Sequence, residues 1–289
     1  MRRLTCPVAL LVLLAPLGCQ EKSPVATPEA AAEVVAFRRV VLPTDPGDVA
    51  WRKASMHVAP LIPQNLVAPR LMEPSTKEVR VQAMTDGNRV AFRLAWADST
   101  QDDLPGAKRF TDACAVMLPQ DAKAPVPSPM MGAAGTPVEI TYWSAFWQAA
   151  LDGRGDTIKD IYPGAAVGHY PFEAPSLKPG SKEQKAMAMR YAPARTLGNR
   201  RVGPRERPVE DLVAGGPGTI TRAGTTKSNG YGSRTEEGWA VVISRPLTKG
   251  LRPGSQSHVQ FAVWNGSHGE VGSRKMWSGW IPLRIKEDR

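Results

Sequence analysis

An all-β chain, an antiparallel β-sandwich with long loops and one or two short helices, is what this sequence predicts, and three observations carry it. The strong hydrophobic signals have period two rather than 3.6. The chain holds 27 prolines and 26 glycines in 289 residues, well above a typical combined usage of about 12%, so turns are frequent. Short alternating runs recur between those turns, as in a sandwich. With 42% hydrophobic and 22% charged residues, the chain can bury a real core and is too apolar to be a disordered protein.

The first segment reads as an export signal. MRRLTCPVALLVLLAPLGC opens on an arginine pair, continues with an apolar run and ends on small residues before Cys19, the order of a bacterial secretory signal. The run is short for a membrane span, which needs about 20 apolar residues. Leu17-Gly18-Cys19 looks like a lipobox, with Cys19 the lipidated first residue of the mature chain, although Pro16 stands where such boxes usually carry leucine. Residues 1–18 are therefore expected to be a signal peptide, 19–39 a flexible tether and 40–289 the folded domain. The expected location is the periplasmic side of the bacterial envelope, held by lipid; plain export is the alternative. With Cys6 removed and Cys19 lipidated, Cys114 is the remaining thiol and no intrachain disulfide can form. The chain has no C-x-x-C-H, which excludes covalently attached c-type haem.

The strands follow in order. Val79 to Met84 and Arg89 to Trp96 flank Asp86-Gly87, a hairpin signal, with Val90, Phe92, Leu94 and Trp96 on one face. Val138, Ile140 and Tyr142 alternate, as do Trp239, Val241 and Ile243. Val259, Phe261 and Val263 precede the turn pair Asn265-Gly266, and Ile281, Leu283 and Ile285 close the pattern. Between about 152 and 208 the periodicity fails, apart from a short helix expected at Lys182 to Tyr191. So long an excursion reads as a basic insertion or as a cofactor lid. The net charge of +10 is spread through the chain and densest from Arg190 to Arg207. It forms no compact basic face interleaved with aromatics, so no nucleic-acid partner is expected.

Familiar catalytic patterns are missing. The four histidines are scattered, no G-x-S-x-G or phosphate-binding loop is present, and Asp98, Asp102 and Asp103 read as turn-capping carboxylates. The chain is thus expected to lack a catalytic site of its own. Two stretches stand out as possible metal ligands in a defined context: Met130-Met131-Gly132 ahead of the Val138 strand, and Gly272 to Trp280 with Lys275 inside it. By spacing alone Met131 reads as a packing residue and Lys275 as a solvated lysine.

Six stretches change that reading: DGNRVAFRLAWADST (86–100), FTDACAVMLP (110–119), MMGAAGTPVEITYW (130–143), DLVAGGPGTIT (211–221), EGWAVVISRPL (237–247) and QFAVWNGSHGEVGSRKMWSGW (260–280). In this order the chain resembles the haem-binding domain of the ethylbenzene dehydrogenase gamma subunit. The same domain occurs in the small subunits of dimethylsulfide dehydrogenase, selenate reductase and chlorate reductase. The resemblance implies a β-sandwich holding one non-covalent haem b, its iron gripped by a methionine and a lysine. Met131, which precedes Gly132, and Lys275, which precedes Trp277 and Trp280, match those positions. Met130 departs from the family's usual aromatic or apolar residue there and is a second candidate for the register.

The implied function is electron transfer with a partner oxidoreductase, such as a molybdenum enzyme, or with a cytochrome. Trp143, Trp264, Trp277 and Trp280 are expected as flat walls around the ring, and Arg245 and Arg274 as partners for the haem carboxylates. The competing reading is a carbohydrate-binding sandwich without haem, in which Trp143, Trp147 and Trp277 stack on sugars.

Overall fold

The computed structural model describes residues 32–154, 162–164, 176–191, 196–197 and 205–287. The expected signal peptide, Cys19 and most of the 152–208 insertion lie outside the described residues. Among the described residues no helix is long and apolar enough to cross a membrane.

The chain folds as a β-sandwich in which a 14-stranded path bends into two sheets. The first sheet holds β1 (Val34–Arg38), β2 (His57–Pro60), β4 (Glu78–Thr85), β5 (Arg89–Ala97), β10 (Asn229–Arg234), β11 (Gly238–Pro246) and β14 (Ile281–Ile285). The second holds β3 (Ile62–Pro63), β6 (Ala113–Pro119), β7 (Val138–Ser144), β8 (Val209–Ala214), β9 (Thr221–Arg222) and β13 (Met276–Trp277). β12 (Gln256–Trp264) belongs to both: residues 256–259 pair with β14, and residues 260–264 pair with β6. A strand that changes sheets in this way makes a corner of the sandwich.

Two details refine the expected plan. The sheet is mixed rather than purely antiparallel, because β1 runs parallel to both β14 and β4. The same strand lies inside the stretch expected to be a tether, so the folded domain begins by Val34. Its VVAFR sequence has the β-branched and aromatic content that favours a strand, a signal hidden by the alanine-rich run before it.

The Val79–Trp96 hairpin forms as expected, one residue out of step. Thr85 pairs with Val90, which leaves Gly87 and Asn88 at the centre, and Gly87 takes the left-handed φ of 93° that the turn requires. Asp86 caps the turn instead of occupying it, accepting from the backbone N–H groups of Asn88 and Arg89. The expected short helix is present as α2 (Lys182–Arg190), capped by the Ser181 hydroxyl, which accepts from Gln184 N. The first helix, α1 (Ala145–Leu151), follows β7 directly.

The main core fills the space between the sheets. Phe92 of the first meets Phe261 of the second edge to face at 6.0 Å, and Trp96 meets Trp143 at 6.4 Å. The second sheet is apolar on both faces. Cys114, Val116 and Leu118 turn into the main core, while Ala113, Ala115 and Met117 join a separate cluster with Ile140, Leu212 and Ala262. An antiparallel sheet usually leaves one face to water, so the second apolar face calls for a cover.

At one end, buried Asp112 ties three segments together. It accepts from the backbone N–H of Gly266 at 2.8 Å and of Asp102 at 2.9 Å, and from the Trp239 indole at 2.9 Å. Burial, reinforced by Asp98, pushes its carboxyl up to about 7 despite these donors. Asp98 caps the backbone N–H and hydroxyl of Thr100, the turn-capping role expected of it.

Candidate functional site

The outer face of the second sheet is the floor of a cavity of about 560 Å³, within the usual size of small-molecule and cofactor sites. Small residues, Ala115 on β6 and Ala262 on β12, sit directly opposite one another in the strand register and keep the floor low. Tyr142, Trp264 and Trp277 supply aromatic surface. Four loops form the walls, at residues 64–68, 129–131, 217–220 and 271–273. Among the described residues that line it, only Lys275 is charged.

Met131 and Lys275, 144 positions apart in sequence, line this one cavity together, and Met130 lines it as well. Met131 is held in the left-handed region at φ 66°, which costs a residue with a side chain roughly 1–2 kcal/mol. Gly132 follows at φ 81°, and a Cβ there would stand 2.8 Å from the Thr136 carbonyl oxygen and 3.1 Å from that of Ala214. Only glycine fits. The loop is closed by Gly132 N–H donating to Ser128 O at 2.9 Å and by Gly216 N–H donating to Met131 O at 2.9 Å. The glycine of the Met-Gly pair is therefore required by the backbone that presents the sulfur.

Lys275 reaches the cavity from the position just before β13. Its amine lies 5.3 Å from the centre of the Trp264 ring. The residue keeps some accessible surface because it lines an open cavity, yet protein crowds the amine. Burial lowers its pKa from 10.5 to about 8. An amine so placed is easily uncharged.

Several expected contributors sit elsewhere. Trp143 is fully buried in the main core against Trp96 and Trp239, on the inward side of β7, because the strand alternates and Tyr142 takes the outward place. Trp280 packs beside the cavity cluster and donates to Pro127 O at 2.7 Å without lining the cavity. Trp264 and Trp277 are where they were expected. Arg245 is buried at the end of β11, paired with Glu139 in a separate polar cavity of about 410 Å³. Arg274 does not line the larger cavity. Of the tryptophans proposed for sugar stacking, Trp143 and Trp147 are buried, and Arg205 covers the Trp147 ring at 3.6 Å.

Gln64, Tyr142, Ala115, Ala262 and Leu212 were not anticipated at the site. One signal was available. ACAVMLP is buried at all seven positions of β6, and an antiparallel strand without polar alternation announces that both faces are covered.

Comparison with known proteins gives the chain a family. Residues 48–276 match the family described as ethylbenzene dehydrogenase. The chain is 26% identical over 245 residues to a Haloferax mediterranei protein provisionally named as a respiratory nitrate reductase heme subunit, spanning 82% of this chain and 67% of that one. It is 26% identical over 264 residues to the dimethylsulfide dehydrogenase subunit gamma of Rhodovulum sulfidophilum, spanning 85% and 77%. It is 25% identical over 219 residues to the chlorate reductase subunit gamma of Ideonella dechloratans, spanning 73% and 66%. Among solved structures, a family 9 carbohydrate binding module from Caldicellulosiruptor kristjanssonii with cellotriose aligns with a TM-score of 0.42 at 6% identity, over 89% of this chain and 94% of that one. A likeness of that size carries no functional argument. The match over residues 48–276 does: this chain belongs to the ethylbenzene dehydrogenase family.

Proposed function

We propose that this chain is a haem-binding electron-transfer subunit, holding one non-covalent haem b in the apolar cavity with Met131 and Lys275 as the two axial ligands. One observation carries the reading. A thioether and a readily neutralised amine, distant in sequence, converge on a cavity with no other charged side chain among the described residues that line it. The residues present fit the group. The floor is flat and apolar, Trp264 and Trp277 offer ring faces, and the donor set is one that iron accepts.

The cavity's contribution to ligation can be stated in energies. An amine must lose its proton before it binds a metal. At pH 7 that costs about 5 kcal/mol for an ordinary lysine and about 1.4 kcal/mol for one lowered to about 8. Burial of Lys275 has supplied the difference in advance. When bound, a haem with both axial positions filled exchanges single electrons and has no open site for substrate. Met131 favours the ferrous state, since a thioether is a weak donor that raises haem potential. The apolar walls exclude water from the ring.

The relatives' names include a heme subunit and two gamma subunits, which supports a partner oxidoreductase and an electron carrier without its own catalytic site. We further propose export through residues 1–18 and membrane attachment through a lipid on Cys19, placing the domain on the periplasmic side. Replacement of Cys19 by serine should abolish incorporation of labelled fatty acid; retained label would contradict the anchor.

Absorbance of the full chain after haem addition tests the main reading. The expected spectrum is that of a low-spin haem, changed to a partly high-spin one by Met131→Ala and by Lys275→Ala separately. A chain that takes up no haem, or two variants with the parent spectrum, would overturn it.

A further inference from the structure

The loop that faces Lys275 is closed by one side chain. β3 pairs with β13 through Ile62 and Pro63 against Trp277 and Met276, and the ladder continues with the Gln64 N–H donating to Lys275 O at 2.9 Å. This sets Gln64 directly across from the residue that carries the amine. The Gln64 side chain is 6% exposed and lines the cavity.

Its amide is used to capacity. Nε2 donates to Val67 O at 2.8 Å and to Ser273 O at 2.9 Å. Oε1 accepts from Leu66 N–H at 2.8 Å and Val67 N–H at 2.7 Å. A glutamine has two donors and two acceptor lone pairs, so no hydrogen-bonding valence is left over for a ligand. Ser273 Oγ adds a second tie, donating to Pro69 O at 2.9 Å. The loop at 64–71 and the segment at 271–275 are thus stapled together beside an apolar cavity, where a lost hydrogen bond leaves a costly unpaired group.

We propose that Gln64 is a positioning residue for Lys275, fixing the segment ahead of β13 so that the amine faces the cavity. The inference rests on the proposed ligand role of Lys275 and adds the group that aims it. Glutamate at this position keeps the acceptor but turns the donor into a second oxygen facing two carbonyls. Methionine fills similar space and removes the hydrogen bonds altogether. Shorter residues reach neither loop.

The test uses the full chain with Gln64→Glu and Gln64→Met, compared with the parent and with Lys275→Ala. In the cofactor-free chain, hydrogen exchange at the Leu66 and Val67 amides should quicken by about tenfold or more in Gln64→Met, the loss of one ordinary hydrogen bond, and stay near the parent's rate in Gln64→Glu, which keeps their acceptor. After haem addition, both variants should shift toward the Lys275→Ala absorption and electron paramagnetic resonance spectra, while keeping the parent's sulfur signature from Met131. A purely structural role would lower the melting temperature and leave the spectra of the bound haem unchanged, and that result would overturn the proposal. If the parent itself shows no signal that Lys275→Ala removes, the ligand reading fails instead. Should Gln64→Glu not fold, Gln64→Met decides by the same two readouts.

Discussion

Gly132 fixes where the sulfur of Met131 can be. Two successive residues at positive φ, 66° and 81°, put the loop in a conformation that favours glycine at both places, and neighbouring carbonyl oxygens fill the space a Cβ at 132 would need. Gly132→Ala should therefore cost about 2–3 kcal/mol from the left-handed conformation and the close contacts together. Thermal unfolding of the cofactor-free chain measures it, and the haem-loaded variant should show a weakened sulfur ligand. The Met-Gly pair was visible in the sequence, but its reason was not. Periodicity says nothing of φ, and the carbonyls that exclude a side chain come from Thr136 and from Ala214, which lies 82 positions away. Gln64 was invisible for a related cause: the pairing of two-residue strands brings it beside Ser273 and Lys275, more than 200 positions away.

At the scale of elements, the second sheet does two jobs with one alternation. The inward residues of β6 and β7 complete the sandwich, and the outward ones floor the cavity. Tyr142 and Trp143, adjacent on β7, separate cleanly along that line, which explains why a tryptophan expected at the ring lies in the core. Ala115 on the outward side touches space rather than core. Ala115→Phe should therefore block haem uptake by at least about tenfold while leaving the fold intact, since filling a cavity does not force a packed core apart. Haem titration checks the first and circular dichroism the second. The strands themselves were legible because alternation survives on most of them. The sheet crossing in β12 and the parallel placement of β1 were not, because pairing partners are chosen by tertiary packing rather than by a strand's own sequence.

For the whole molecule, stability should follow two buried groups of opposite kind. Asp112 has its folded pKa raised to about 7, so the folded state binds more protons than the unfolded chain above the ordinary carboxylate value of 3.8. From this group stability is lost as pH rises from about 4 to 7. Lys275 has its folded pKa lowered from 10.5 to about 8, so the unfolded chain binds more protons in that window and stability is gained as pH rises through it. Lys275→Met should flatten the gain above pH 8 and stabilise the cofactor-free chain at pH 7 by up to about 3 kcal/mol. Chemical denaturation at a series of pH values tests both slopes. The six matching stretches made the proposed ligand pair nameable beforehand; the convergence of both residues on one cavity needed the fold.

X-ray absorption at the iron edge of the haem-loaded full chain tests the central claim most directly. The expected result is one sulfur scatterer among nitrogen donors, lost in Met131→Ala and kept in Met130→Ala, with the remaining axial nitrogen lost in Lys275→Ala. An iron surrounded by nitrogen alone, or a sulfur that persists in Met131→Ala, would contradict the account.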